Sequence, residues 1–203
     1  NQSAESRLSF QISFPAEAHS EPITGRVFVM IAEDDETEPR LQVGSWRNSS
    51  PFFAVDVEQL APGESVTIDE NTLGFPPKSL SMIPEGDYHV QALINVYTEF
   101  ERSDGHTIWA HMDQWEGQQF ERSPGNLISA VERVRLDPSR GYSIELQADQ
   151  VIPPVEVPED TRWVKRIKIQ SDILTEFWGH PIYLGAVVLL PRDYEARTDV
   201  RYP

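Results

Sequence analysis

The sequence predicts a mainly β fold, and three observations carry that reading. Apolar and polar residues alternate from Leu8 to Phe14 and again from Tyr88 to Val96, the period of a half-buried strand. The 16 prolines and 11 glycines fall between such segments as turn markers. No segment keeps a helical period for longer than about two turns. Together these predict a β-sandwich over residues 1–150.

The elements follow in order. Leu8, Phe10, Ile12 and Phe14 form one face of a first strand, with Ser9, Gln11 and Ser13 on the wet side. Residues 27–32 are apolar throughout and rich in β-branched and aromatic types, so this strand is expected to be buried on both faces until the acidic run 33–38 ends it. Residues 52–57 predict another strand. The turn Ala61-Pro62-Gly63 then joins it, hairpin-like, to a shorter one around Val66 and Ile68. After the turn Ile83-Pro84-Glu85-Gly86-Asp87, a long strand alternates Tyr88, Val90, Ala92, Ile94 and Val96 with His89, Gln91, Asn95 and Tyr97 on its other face. Val134 and Leu136 are expected to pair with Ile144 and Leu146 across the turn 137–141.

The run Gly86-Asp87-Tyr88-His89-Val90 resembles the tyrosine corner of immunoglobulin-like sandwiches, in which a tyrosine hydroxyl pins the preceding loop. Val90 stands where an antibody domain has cysteine, so the likeness concerns architecture alone. A proline-stiffened linker is expected at 151–162. Beyond it, residues 163–169 predict a strand, 172–178 a helical turn and 182–190 a strongly apolar strand ended by Pro191. About 40 residues bury little surface alone, yet the last strand requires cover on both faces.

Composition excludes several partners. With 33 acidic and 17 basic residues the formal charge is -16, which repels phosphate backbones and anionic lipid surfaces, so nucleic acid is not expected as a partner. The longest apolar runs, such as 186–190, fall far short of the roughly 20 residues a spanning helix needs, so no membrane partner is expected either. The absence of cysteine removes disulfides and thiolate zinc sites. A start at Asn1 without methionine reads as processing, and the expected location is secreted or periplasmic.

The segments Ile169-Gln170-Ser171-Asp172-Ile173-Leu174, Phe177-Trp178-Gly179-His180-Pro181-Ile182-Tyr183-Leu184, Val188-Leu189-Leu190-Pro191-Arg192-Asp193-Tyr194 and Arg201-Tyr202-Pro203 occur in that order. In this order they resemble the opening of the α/β-hydrolase domain of the putative-esterase family, which includes enterochelin esterases and esterase D. The stretches 84–92 and 112–117 resemble the β-sandwich extension that precedes the hydrolase domain in some secreted members of that family. The resemblance implies that residues 163–203 open a truncated α/β-hydrolase domain, and that the parent protein hydrolyses carboxylic esters through a serine acyl-enzyme. No Gly-x-Ser-x-Gly elbow and no Ser-x-x-Lys pair occurs in the sequence, so no catalytic residue is assigned to this chain. No cofactor is expected.

Residues 103–126 lack clear periodicity and are chemically dense. His106, Trp109, His111, Asp113, Trp115, Glu116 and Phe120 either line a surface for a planar or sugar-like ligand or wedge the sandwich against a neighbouring domain. A metal site from His106, His111 and Asp113 lacks an established spacing. The run 33–36 lacks the alternation and glycine of a calcium loop and reads as a solvated turn. Phe177, Trp178, Tyr183, Val187 and Leu189 are the expected docking residues for a hydrolase domain of the same protein or for a homo-oligomer partner.

Two functions follow: a non-catalytic front module that docks on and gates an esterase-type hydrolase domain, and a free-standing module that binds carbohydrate or protein.

Overall fold

The computed structural model describes residues 7–44, 49–197 and 199–202. The start at Asn1 and the Pro203 that closes the Arg-Tyr-Pro triplet lie outside the described residues. Strand accounts for 40% of the structure and helix for 8%, so the fold is mainly β. The chain divides into two compact units: one comprises residues up to 98 together with 109–155, the other 99–108 together with residues from 156 onward.

In the first unit β1 (Ser9–Ser13), β2 (Ile23–Ala32), β3 (Phe52–Leu60), β4 (Ser65–Ile68), β5 (Gly74–Phe75) and β6 (Gly86–Val96) follow one another. A short hairpin of β7 (Thr98–Glu101) and β8 (Thr107–Ala110) comes next, its tip belonging to the second unit. The first unit resumes with β9 (Leu127–Ile128), β10 (Glu132–Leu136), β11 (Ser143–Gln147) and β12 (Gln150–Val151).

A three-stranded sheet has the order β11-β1-β4, with β1 parallel to β11 and antiparallel to β4. A seven-stranded sheet has the order β12-β9-β6-β2-β3-β5, with β10 also pairing β6.

The two sheets share one core because their alternating strands aim apolar side chains at each other. Leu8, Phe10, Ile12 and Phe14 from the first strand region meet Val27, Val29 and Ile31 of β2 and Val90, Ala92 and Ile94 of β6. β2 is buried on both faces, as its unbroken apolar run predicts: Phe28 and Met30 point away from that core into a second cluster with Leu93, Ile128 and Ile152. Burial of one such side chain stabilises the fold by about 1.5–3 kcal/mol, so the doubly buried strands dominate the interior.

Two turns differ from the sequence expectation. The turn at 61–63 leads from β3 to β4, but β4 pairs β1 in the other sheet, so the turn is a corner between sheets and not a hairpin. Likewise β10 pairs β6 while β11 pairs β1. Here Tyr142 fixes the crossing: its hydroxyl donates to Arg135 O at 2.6 Å and accepts from the Asp137 N–H at 2.8 Å. The stretch 103–126 also holds more regular structure than its periodicity indicates, namely β8 and a 3-10 turn at Phe120–Arg122.

In the second unit β13 (Val164–Gln170) and β14 (Tyr183–Leu189) pair antiparallel in full register, joined through the two-turn helix α1 (Asp172–Trp178). Ser171 caps the helix by accepting from the Leu174 N–H, and Gly179 ends it in the left-handed region at φ 71°. The tip of the β7–β8 hairpin rests on α1: the Ser103 N–H donates to Phe177 O at 3.1 Å, and Phe100 meets Trp178 edge-on at 5.6 Å. No helix among the described residues is long and apolar enough to cross a membrane.

Candidate binding site at one end of the large sheet

The outer face of the large sheet changes character along its strands. Phe28, Met30 and Leu93 share this face with Phe52 and Ala54 of β3, and Phe120 packs against them. One row further along, the register sets Asp56, Arg26 and Asn95 side by side on β3, β2 and β6. Opposite charges in directly opposed positions pair, and the Arg26 fork holds Asp56 through Nε to Oδ1 at 2.6 Å and Nη2 to Oδ2 at 2.9 Å. The guanidinium keeps the Asp56 carboxyl below the usual carboxylate range, and Asp56 in turn raises the Arg26 pKa.

A register shift between Ile23 and Gly25 marks a bulge beside this row. Gln59 there adopts a left-handed φ of 52°, held by two bonds to one acceptor: its backbone N–H and its Nε2 both donate to Thr24 Oγ1, at 3.2 and 3.1 Å. An open groove of about 420 Å³ results, lined by Thr24, Gly25, Asp56, Val57, Glu58, Gln59, Tyr97 and Trp109. Partial burial raises the Tyr97 phenol above its ordinary value, so the ring presents a neutral hydroxyl.

The segment after Trp109 is a braced loop. His111 Nδ1 lies 2.9 Å from Asn95 Oδ1, and Nε2 lies 2.8 Å from Glu116 Oε1. The Glu116 side chain is only 2% exposed, and its other oxygen accepts the Gln114 N–H. Both imidazole nitrogens are thus occupied, which leaves neither for a metal or for proton abstraction. Trp115, Gly117 and Gln118 take left-handed φ values of 74°, 77° and 65°, a curl that turns backbone N–H groups towards Asp113. Burial pushes the Asp113 carboxyl up, but its contact with the Glu116 carboxyl and hydrogen bonds from the N–H groups of Gly117, Gln118 and Trp115 outweigh it and hold the group low.

The sequence candidates therefore separate. Trp109 lines the groove; His111, Asp113 and Glu116 form the brace behind it. Trp115 is 54% exposed and does not line the groove. Phe120 stacks on Phe28 at 4.7 Å as part of the second apolar cluster. His106 sits on the hairpin tip in the other unit, beside Asp104.

Among the described residues no group of three or more His, Cys, Asp or Glu side chains is placed to hold a metal ion. In the acidic run, Asp34 Oδ1 accepts from the Glu36 N–H and from Gln42 Nε2, so the turn is bound up in its own bonds.

Of the docking candidates, Phe177 and Trp178 face the hairpin tip and Tyr183 lies under the Lys168 ammonium at 4.5 Å. Val187 and Leu189 are 70% and 75% exposed. Sequence reasoning missed Arg26, Asp56, Gln59 and Tyr97. The available signal was Arg26 beside the apolar run 27–32 and Asp56 inside the apolar run 52–57.

Residues 54–103 match the PEGA domain. The PEGA-like stretch runs from within β3 to the hairpin tip, and it supplies Asp56, Glu58, Gln59, Asn95 and Tyr97 to the groove and its brace. PEGA domains are β-rich and frequent in secreted proteins. No curated protein and no solved structure matches the chain at a significant level.

Proposed function

We propose that this chain is a non-catalytic, exported β module that docks on a serine esterase-type hydrolase domain and gates access to it. The observation that carries the reading is the β13–β14 sheet. Two strands alone are marginal in water, yet Ile167, Ile169, Leu184, Val187 and Leu189 present apolar surface on both faces of this pair. Such a sheet gains its stability by joining further strands, which is the role the esterase resemblance gives residues 163–203. The match to PEGA, a domain typical of extracellular or periplasmic proteins, supports the exported location. The immunoglobulin-like reading of the first unit rests on its two-sheet core and its tyrosine corner.

The test is the intact mass of the protein from its native source, with sequencing of the C-terminal peptide and an ester hydrolysis assay. A longer chain carrying a Gly-x-Ser-x-Gly elbow and hydrolysing esters supports the reading. A mass equal to these 203 residues overturns it.

A second reading, a binding module, is favoured by the exposed indole of Trp109 bordering an open groove.

A further inference from the structure

We infer that the groove between the β2–β3 bulge and Trp109 binds a neutral oligosaccharide chain. This deepens the binding-module reading and is independent of any docked hydrolase. Three features converge. First, the Trp109 indole is 42% exposed and borders the groove together with Tyr97, giving flat apolar surface of the kind that packs against the C–H face of a pyranose ring. Secondly, Asp56, Glu58 and Gln59 set acceptors and an amide around those rings, which suits a ligand rich in hydroxyl donors.

Thirdly, the site is rigid before any ligand arrives. Gln59 is held in a left-handed conformation by its two bonds to Thr24, and the segment carrying Trp109 is braced through His111 to Asn95 and Glu116. A bulge and a strained non-glycine residue beside an exposed aromatic are features that cluster at ligand sites, and a preformed site loses less entropy on binding.

Charge narrows the ligand further. Arg26 neutralises Asp56, while Glu58 adds a carboxylate in a chain of net charge -16, so acidic sugars and phosphates are repelled. The groove is open to solvent rather than enclosed, as a site for part of a longer chain must be.

The test titrates the full chain with neutral hexasaccharides of glucose, xylose and N-acetylglucosamine by calorimetry and tryptophan fluorescence. A reduced, carboxamidomethylated protein serves as a polypeptide probe. At least one hexasaccharide is expected to bind saturably, with Trp109→Ala weakening it about tenfold or more and Glu58→Gln weakening it less. Trp163→Ala, in the other unit, is expected to leave the affinity unchanged. Circular dichroism and thermal melting verify that each variant is folded, and Trp109→Phe is expected to retain most of the affinity.

Silence with every hexasaccharide, or binding indifferent to Trp109, overturns the inference. Trp109-dependent binding of the polypeptide probe alone also overturns it while preserving the binding-module reading; silence with both probes overturns both.

Discussion

The Tyr88 hydroxyl donates to the Pro84 carbonyl at 3.0 Å, closing the turn that feeds the longest strand. Tyr88→Phe keeps the buried ring and removes only this bond, so a loss of about 0.5–1.5 kcal/mol is expected in urea unfolding. Burial, helped by the charge of Glu33, raises the Tyr88 pKa in the folded state. The contribution is therefore full below the unfolded phenol pKa of about 10 and declines as pH rises through the folded value. Wild type and Tyr88→Phe should converge in stability at strongly alkaline pH.

Glu38 gives the opposite sign. Arg40 grips its carboxylate at 2.8 and 3.0 Å and Gln91 Nε2 adds a bond at 2.8 Å; the Arg40 bond does most to hold its pKa below the usual range against burial. Stability from this clamp is complete above the unfolded pKa of about 4.3 and is lost as pH falls through the folded value. The side chain is 41% exposed, so Glu38→Gln is expected to cost no more than about 1 kcal/mol at neutral pH. Unfolding measured from pH 7 to pH 2 should show that difference vanish at the acid end.

Removing His111 leaves Glu116 buried without its ring partner. His111→Ala is expected to cost about 1–3 kcal/mol and to raise amide hydrogen exchange across residues 111–118. Unchanged protection in that loop would mean that the left-handed backbone alone holds it.

Gly25 lies on β2 against the Asn95 backbone of β6. A Cβ there would stand 2.1 Å from the Asn95 carbonyl oxygen, which is backbone and cannot swing aside. Gly25→Ala must push the strands apart, with an expected loss of about 1–3 kcal/mol by thermal melting.

Val187→Ser with Leu189→Ser tests the β13–β14 surface. Both side chains are exposed, so hydrogen-exchange stability of the first unit's core strands should stay within about 0.5 kcal/mol of wild type. Association with a hydrolase domain, read by sedimentation, should weaken.

Strand positions were legible because period-two alternation needs only local sequence: Leu8 to Phe14 and Tyr88 to Val96 face the core as their spacing indicates. Strand partners were not. The turns at 61–63 and 137–141 look like hairpin turns, yet each carries the chain to the other sheet, a choice made by burial of both sheets at once. The same holds for the groove. Trp109 stands out in the sequence, but Thr24, Asp56, Gln59 and Tyr97 reach it only because β2, β3 and β6 align in register. The brace of His111 and Glu116 lay in a segment whose density was visible and whose geometry was not.

The parallel pairing of Ser9 with Ser143 and Ser13 with Gln147 sets a timetable for the nascent chain. β1 leaves the ribosome long before its neighbour β11, so Phe10 and Ile12 wait while the intervening residues are synthesised. Contacts so remote in sequence form slowly, and an apolar strand left waiting invites wrong partners. Closure of the small sheet is thus a late event, triggered by the arrival of residues 143–147, and a chain stopped short of them would expose Leu8, Phe10 and Ile12 to chaperones.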